Sequence, residues 1–291
     1  MMRIVYMGTP DFAVAPLEAL VEAGYPVAGV FTQQDKPKNR GMKMQPPPVK
    51  VAAQAHGIPV FQPKSWKGEE AYEQLRALEP ELVVVTAYGK LLPRRVLDLP
   101  RYGCINVHAS LLPDYRGASP IQQVILRGEK QSGVTIMQMD EGLDTGDMLL
   151  TYETKVGEKE TAGELFDRLA QSGAELLTQT LVKLDEITPR PQDDAQSCYA
   201  HMLDKQMAVI DWSKSAHEID CLIRGLNPWP IALTTLSGER LKVFAAEKAA
   251  GNGEPGTVLE ADPKKGLTVA CGEGALKLIE IQLVGGKRMK A

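Results

Sequence analysis

The 291-residue sequence has few of the residues that build metal centres or disulfide frameworks. Its four cysteines stand far apart without a CxxC pair, and its four histidines form no HxH or HxxxH motif. The cysteine spacing argues against a zinc knuckle and a disulfide framework, and it suits a reducing compartment. Without clustered histidines, a metal site is not expected either. We therefore predict a metal-independent protein.

Long apolar runs and an excess of positive charge are also absent. No segment approaches the roughly 18 apolar residues of a membrane span, and the N-terminal strand reaches Gly8 too early for a signal peptide. We expect a cytoplasmic protein with no membrane partner. The net charge of −4 would repel a polyanion, so a nucleic acid would need a local basic surface. Because GGKRMKA (285–291) stops without a closing helix, we expect the natural chain to run further.

The first part of the chain alternates short apolar runs with helical patterns. Residues 3–7 predict a strand, the pattern ending at Gly24 predicts a helix, and residues 26–33 predict a second strand. This is the spacing of a parallel βαβ unit and a Rossmann-like start, although the GTPDFA turn lacks the further glycines of a dinucleotide-binding loop. The alternation continues to a strand at 104–108, which predicts an α/β domain with a mostly parallel sheet.

Residues 35–50 interrupt this alternation. They contain three consecutive prolines and five basic residues against one acid. We expect an exposed, irregular basic loop inserted in the domain. A solvated surface without a special role is the alternative, but long loops inside compact domains are uncommon unless they are functional.

The second part of the chain begins with a predicted hairpin, formed by residues 133–139 and 148–156 around an acidic, glycine-rich turn. A long helical stretch follows, with a predicted interruption at Ser172–Gly173. Later, short β runs separated by glycine-rich turns predict a small antiparallel, OB-like β-barrel. The predicted organisation is a catalytic domain (1–188), a linker (189–206) and a C-terminal domain (207–291).

Most of the candidate catalytic side chains lie in one stretch, residues 104–117 (CINVHASLLPDYRG). Asn106, His108 and Ser110 alternate along a strand end, so their side chains are expected to face one pocket rim. An acid in the glycine-rich turn, Asp144 above all, can approach and orient the imidazole. A purely structural histidine is the alternative. A Ser-His-Asp hydrolase is disfavoured because the GxSxG elbow is missing.

Several motifs match one family. NVHASLLPDYRGASP (106–120), GLDTGD (142–147) and MGTPDFAV (7–14) closely resemble the folate-dependent formyltransferases. The basic loop and the NPWP segment (227–230) of the C-terminal domain narrow the resemblance to members that act on methionyl-tRNA. The resemblance covers essentially the whole chain. It implies transfer of a formyl group from 10-formyltetrahydrofolate to the α-amino group of methionine on initiator tRNA, in translation initiation. We also expect the protein to be a monomer.

The resemblance also implies site residues. The catalytic group would be Asn106, His108 and Asp144. The folate groove would involve Tyr88, Gly89, Ser110, Leu111, Leu112, Pro113, Asp140 and Gly142. The tRNA acceptor end would meet the basic loop through Lys36, Lys38, Arg40 and Lys43. Further tRNA contacts in the C-terminal domain would come from Lys242, Lys264, Lys265, Lys287 and Arg288.

Other functions stay open on the sequence alone. A formyltransferase for a nucleotide sugar or glycinamide, or a formyltetrahydrofolate hydrolase, would share the same catalytic group. Those substrates have no evident need of a long basic loop. A non-catalytic dinucleotide- or RNA-binding protein is the rival from a different class.

Overall fold

The structure is a computed structural model that describes residues 1–38 and 43–291. Its helices are α1 (Val14–Glu22), α2 (Pro48–Ala55), α3 (Glu69–Ala77), α4 (Arg94–Leu97), α5 (Pro120–Leu126), α6 (Ala162–Val182) and α7 (Ala216–Gly225). Its strands are β1 (Ile4–Gly8), β2 (Val27–Phe31), β3 (Lys36–Lys38), β4 (Lys43–Gln45), β5 (Val60–Phe61), β6 (Leu82–Thr86), β7 (Cys104–His108), β8 (Arg116–Gly117), β9 (Gln131–Gln138), β10 (Met148–Lys155), β11 (Tyr199–Ala200), β12 (Ala232–Leu236), β13 (Glu239–Ala249), β14 (Val258–Asp262), β15 (Gly266–Ala270), β16 (Ala275–Leu283) and β17 (Met289–Lys290).

The chain forms two compact units. The first, here called the sheet unit, comprises Met1–Arg116, Gly133–Glu153 and Phe166–Tyr199. The second, the C-terminal unit, comprises Gly117–Ser132, Thr154–Leu165 and Ala200–Ala291. The last change of unit falls after Tyr199, inside the segment predicted to be a linker. The domain boundaries at residues 188 and 207 stay predictions.

The sheet unit is built on seven strands in the order β10-β9-β7-β6-β1-β2-β5. β1 pairs in parallel with β2 and β6, β6 pairs in parallel with β7, and β9 runs antiparallel to β7. The predicted mostly parallel, Rossmann-like sheet is therefore confirmed. Its strand order reverses between β1 and β6, and ligands of open α/β sheets bind beyond the carboxyl ends of strands near such a reversal. β7, the neighbour of β6, ends at His108 on that edge.

Apolar strands hold this sheet in the protein interior. Every residue of β1, β6 and β7 is buried, as expected for central strands that are covered on both faces. Even the phenol of Tyr6 is enclosed, where it donates a 2.6 Å hydrogen bond to the Ala13 carbonyl. Central strands packed in this way provide a rigid base for the polar side chains at the end of β7.

Two local predictions need correction. The helix predicted to break at Ser172–Gly173 is continuous, as α6. A Cβ atom built on Gly173 would lie 3.0 Å from Cγ1 of Val107, so the glycine allows α6 to approach the sheet instead of ending the helix. In the described part of residues 35–50, the expected irregular loop contains the antiparallel pair β3 and β4, and Pro48 already begins α2.

The C-terminal unit contains the predicted antiparallel β domain. Its sheet has the order β12-β13-β16-β15-β14, with β17 paired to β16. α7 packs Ile219 and Ile223 into the core of this sheet. The helix starts with a capping box, in which Ser215 and Glu218 satisfy each other's backbone N–H groups. No helix within residues 1–38 and 43–291 is both long and apolar enough to cross a bilayer.

Candidate active site

The end of β7 meets the turn between β9 and β10. Oδ1 of Asp144, in that turn, lies 3.4 Å from Nδ2 of Asn106 and 3.7 Å from Nδ1 of His108. The His108 side chain is 6% exposed and that of Asp144 is 14% exposed. The structure thus brings together the three residues that the sequence nominated, and a mostly buried carboxylate faces both an amide and an imidazole.

The other nitrogen of His108 has a partner of its own. Nε2 lies 3.0 Å from the carbonyl oxygen of Tyr115. A carbonyl oxygen only accepts hydrogen bonds, so this geometry assigns the hydrogen of the neutral imidazole to Nε2. Nδ1, which faces Asp144, is then the nitrogen with a free electron pair.

The turn that carries Asp144 has a specific backbone shape. Asp144 has φ +55°, in the left-handed region that Asp and Asn adopt more readily than most residues. Oδ1 of Asp140 accepts hydrogen bonds from Gly142 N at 3.0 Å and from Thr145 Oγ1 at 2.7 Å. A Cβ atom on Gly146 would lie 1.9 Å from the Gln138 carbonyl oxygen, so only glycine fits there. Asp140 and Gly142 therefore shape the turn around Asp144.

The loop after β7 is organised by a hydroxyl group of β9. Thr135 Oγ1 donates to the Ser110 carbonyl at 2.8 Å and accepts from Leu112 N at 3.2 Å. Ser110 is fully buried, and its Oγ donates to the Asp114 carbonyl at 2.6 Å. Leu112 is also buried, whereas Leu111 and Pro113 are half-buried. The hydroxyl hydrogen of Ser110 is thus used in a hydrogen bond that stabilises the loop.

Tyr88 and Gly89 follow β6, beside β7. The Tyr88 side chain belongs to the hydrophobic core, and burial raises the pKa of its phenol to about 12. Its carbonyl oxygen accepts from Thr9 Oγ1 and from Gln33 Nε2, both at 3.0 Å. Tyr88 can therefore offer only its backbone to a ligand, and that backbone is held in place by two side chains.

The basic loop is anchored at its base by an ion-pair cluster. Nζ of Lys50 lies 2.8 Å from Oδ1 of Asp35 and 2.9 Å from Oε1 of Gln62. Gln62 Nε2 donates to the same Asp35 oxygen at 2.8 Å. Lys50 is one of the five basic residues of the predicted loop, but the structure shows that its charge is compensated.

Of the four residues predicted to contact tRNA, the structure describes Lys36, Lys38 and Lys43. Lys36 and Lys43 are exposed, and Lys36 Nζ donates to Gln33 Oε1 at 2.6 Å. The backbone of Lys38 pairs with that of Lys43 in the β3–β4 ladder. Arg40 lies outside the described residues. The exposed lysines thus stand on a short β ladder.

The lysines and arginine nominated in the C-terminal unit are mostly exposed, with Lys242 half-buried. Lys265 pairs with Glu260 at 3.0 Å, and Arg288 pairs with Glu280. Acidic partners reduce the positive field that these two residues can offer to a phosphate. Among the described residues, no group of three or more His, Cys, Asp or Glu side chains is arranged to hold a metal ion.

Two residues near the site, Gln192 and Arg116, were not predicted from the sequence. Gln192 Nε2 donates to the carbonyl oxygens of Asp144 and Gly146, at 2.9 and 2.7 Å. Arg116 Nε donates to Gln192 Oε1 at 3.0 Å. Gln192 lies in the aperiodic segment that was predicted to be a linker, and no sequence pattern marks it. Arg116 lies inside the family motif, but nothing in that motif indicates its partner.

Comparisons with known proteins identify the family of the chain. A formyl transferase family model matches residues 2–181, and a formyl transferase C-terminal domain model matches residues 202–291. The methionyl-tRNA formyltransferase of Citrifermentans bemidjiense is 51% identical over 100% of this chain and 92% of its own length. That of Ectopseudomonas mendocina is 54% identical over 98% of this chain and 91% of its own.

Solved structures show the same fold at low identity. An N-formyltransferase from Helicobacter canadensis, solved with folinic acid and dTDP-3-aminofucose, has a TM-score of 0.72 at 19% identity, covering 99% of this chain and 100% of its own. The methionyl-tRNA formyltransferase of Clostridium thermocellum has a TM-score of 0.58 at 18% identity, covering 86% of this chain and 94% of its own. With both family models and the full-length relatives in agreement, the chain belongs to the formyl transferase family, and within it to the methionyl-tRNA formyltransferases.

Proposed function

We propose that this chain transfers a formyl group from 10-formyltetrahydrofolate to the α-amino group of methionine on initiator tRNA, at the start of translation. The observation that carries the proposal is the convergence of Asn106, His108 and Asp144 at the carboxyl end of β7. The full-length likeness to relatives named methionyl-tRNA formyltransferase supports the choice of substrate. We also propose that the protein acts in the cytoplasm and that it is a monomer. Light scattering tests the oligomeric state.

The chemistry of the three residues fits such a donor. Bound 10-formyltetrahydrofolate supplies a formamide carbon that an amine can attack. An α-amino group has a pKa of about 8, so a substantial part of it is unprotonated near neutrality, and the site needs positioning more than a strong base. Asn106 offers an amide N–H to the oxygen on which negative charge develops. In other enzymes, one such donor contributes about 3 to 4 kcal/mol.

His108 is the residue proposed to move the proton. With a hydrogen on Nε2 directed at the Tyr115 carbonyl, Nδ1 is the atom that can take up the proton released by the attacking amine. The resulting imidazolium would lie beside the Asp144 carboxylate, 3.7 Å from Nδ1 in this structure. Asp144 then stabilises the charged form and keeps the ring in one orientation. Nδ1 would then give this proton to the folate nitrogen as the bond from that nitrogen to the formyl carbon breaks, so that tetrahydrofolate leaves and the new amide forms.

The folate groove is proposed along the edge next to these residues. The backbone of Tyr88 and Gly89 would form one wall, and Asp140 and Gly142 would form the opposite turn. The loop from Ser110 to Pro113 would form the floor. The support for this assignment is that the loop and the turn are both fixed by internal hydrogen bonds, which suits a preformed ligand site.

The tRNA acceptor end is proposed to meet the basic loop. Lys36, Lys38, Arg40 and Lys43 would contact phosphates, which bind Lys and Arg in a salt-dependent way. The exposure of Lys36 and Lys43 on the β3–β4 ladder supports this role. Lys242, Lys264, Lys265, Lys287 and Arg288 are proposed as weaker contacts, because two of them already have acidic partners.

A substrate comparison tests the proposed reaction. Purified protein is incubated with 10-formyltetrahydrofolate and, in parallel, with methionine-charged initiator tRNA, free methionine, glycinamide ribonucleotide and an amino-sugar nucleotide. Mass spectrometry of the products should find N-formylmethionine only on the tRNA. Formylation of one of the small substrates instead, or formate release without any acceptor, would favour the rival activities.

A further inference from the structure

The most informative contacts outside the catalytic residues are those of Gln192. Its side-chain amide has three polar partners: Nε2 donates to the Asp144 and Gly146 carbonyls at 2.9 and 2.7 Å, and Oε1 accepts from Arg116 Nε at 3.0 Å. These partners fix the orientation of the amide, since a flipped amide would set its oxygen against two carbonyl oxygens. Both N–H groups of Gln192 are therefore used to hold the backbone on either side of Thr145.

Arg116 holds the amide oxygen of Gln192, the atom that does not contact the Asp144 turn. The Arg116 side chain is 10% exposed, and its Nη2 donates to Asp194 Oδ1 at 2.8 Å. Asp194 is 84% exposed, so Arg116 is the buried partner in this ion pair. A planar guanidinium held by two partners restricts the rotamers available to Gln192.

These contacts close a ring around His108. Arg116 directly follows Tyr115, whose carbonyl oxygen lies 3.0 Å from His108 Nε2. From Arg116 the ring continues through Gln192 to the Asp144 backbone, and the Asp144 carboxylate returns to His108 Nδ1 at 3.7 Å. The groups that face the two nitrogens of the imidazole thus belong to one hydrogen-bonded network.

We infer that Gln192 is a positioning residue for formyl transfer: its amide fixes the Asp144 turn against His108, and Arg116 clamps the amide. This inference rests on the proposed function. The role needs the two N–H groups of Gln192, because a carboxylate at this position would still pair with Arg116 but could not donate to the Asp144 and Gly146 carbonyls. Gln192→Leu and Gln192→Glu therefore separate the positioning role from a simple partnership with Arg116.

Steady-state kinetics on charged initiator tRNA test the inference. Both Gln192→Leu and Gln192→Glu should lower kcat by about 100-fold, the size of effect that a small misplacement of a catalytic group produces, with the KM for tRNA unchanged. Gln196→Leu is the matched control. Gln196 lies in the same segment, is exposed, and donates to Asp193 Oδ2 at 2.9 Å. The control should keep the wild-type kcat.

A second measurement does not depend on activity. Hydrogen exchange followed by mass spectrometry should show faster exchange in the 139–147 turn of Gln192→Leu than in wild type or Gln196→Leu, at equal Tm. A wild-type kcat in Gln192→Glu, or unchanged exchange in that turn, would overturn the inference. Failure of the proposed function would look different: the wild-type protein would not formylate tRNA, whereas the exchange result would still stand.

Discussion

A single carboxylate oxygen orders the polar end of β7: Oδ1 of Asp144 lies 3.7 Å from Nδ1 of His108 and 3.4 Å from Nδ2 of Asn106. A carboxylate accepts hydrogen bonds and donates none, so it favours an N–H on both groups that face it. The amide of Asn106 always provides one. Nδ1 of His108 provides one only after it has taken up a proton, which is the event that formyl transfer to an amine requires of a general base.

The amide of Asn106 should be needed for turnover. Asn106→Ala should lower kcat by about 10²- to 10³-fold, the loss found when one donor to a developing oxyanion is removed. Donor and tRNA affinities should stay close to wild type because the interaction forms mainly in the transition state. Rapid-quench measurement of a single turnover isolates this step. A fall in tRNA affinity with the chemical step unchanged would refute the role.

The charge of Asp144 should matter more than its shape. Asn tolerates the left-handed backbone at this position, φ +55°, so Asp144→Asn keeps the turn and removes the charge. We expect kcat to fall by about 10²- to 10⁴-fold, as expected when the partner that orients a catalytic histidine becomes neutral. Circular dichroism and Tm serve as folding controls. A nearly active Asp144→Asn variant would show that the carboxylate is not required.

The basic loop should act on tRNA and not on the folate donor. Arg40→Ala should weaken binding of charged initiator tRNA and leave the KM for 10-formyltetrahydrofolate unchanged. Loss of one phosphate contact should also make the salt dependence of log Kd shallower by about 1, so the deficit is largest at low salt. Lys183→Ala, an exposed lysine after α6, is the control. Equal losses for tRNA and folate would contradict this assignment.

The cluster at the base of the loop should give a pH-dependent contribution to stability. Hydrogen bonds from Lys50 and then from Gln62 lower the pKa of Asp35 from its ordinary value. A lowered folded-state pKa adds stability above the unfolded value of about 3.9, and that stability is lost as the pH falls through the folded pKa. Asp35→Asn should therefore lower Tm at pH 7, and the difference should vanish in acid. A Tm difference that is constant with pH would contradict the ion-pair explanation.

Much of the fold could be predicted because it follows from local patterns. Apolar runs gave strands such as β6 and β7, and the glycine-rich turns gave the C-terminal strands. The predicted helix break at Ser172–Gly173 was wrong, because a glycine that breaks an isolated helix can also allow close packing. Here the packing partner is Val107, which lies on a distant strand. Periodicity carries no information about such a partner.

The site was predictable where its residues are neighbours in sequence or lie in a distinctive turn. Asn106 and His108 share a strand face, and the glycines around Asp144 allow the tight turn that brings it near. Gln192 was not predictable, since an amide in an aperiodic segment shows nothing of the two carbonyls it will meet after folding. Side chains that act only through tertiary contacts need the structure to be found.

The central claim, that His108 moves the proton in formyl transfer to methionyl-tRNA, is tested most directly by the rate of N-formylmethionyl-tRNA formation in His108→Ala. At saturating donor and tRNA, the rate should fall by about 10²- to 10⁴-fold, the contribution expected of a general base. tRNA affinity and Tm should be retained, because the two partners of the imidazole, Asp144 and Tyr115, are not residues of the basic loop. A folded His108→Ala protein that forms N-formylmethionyl-tRNA at the wild-type rate would contradict the account.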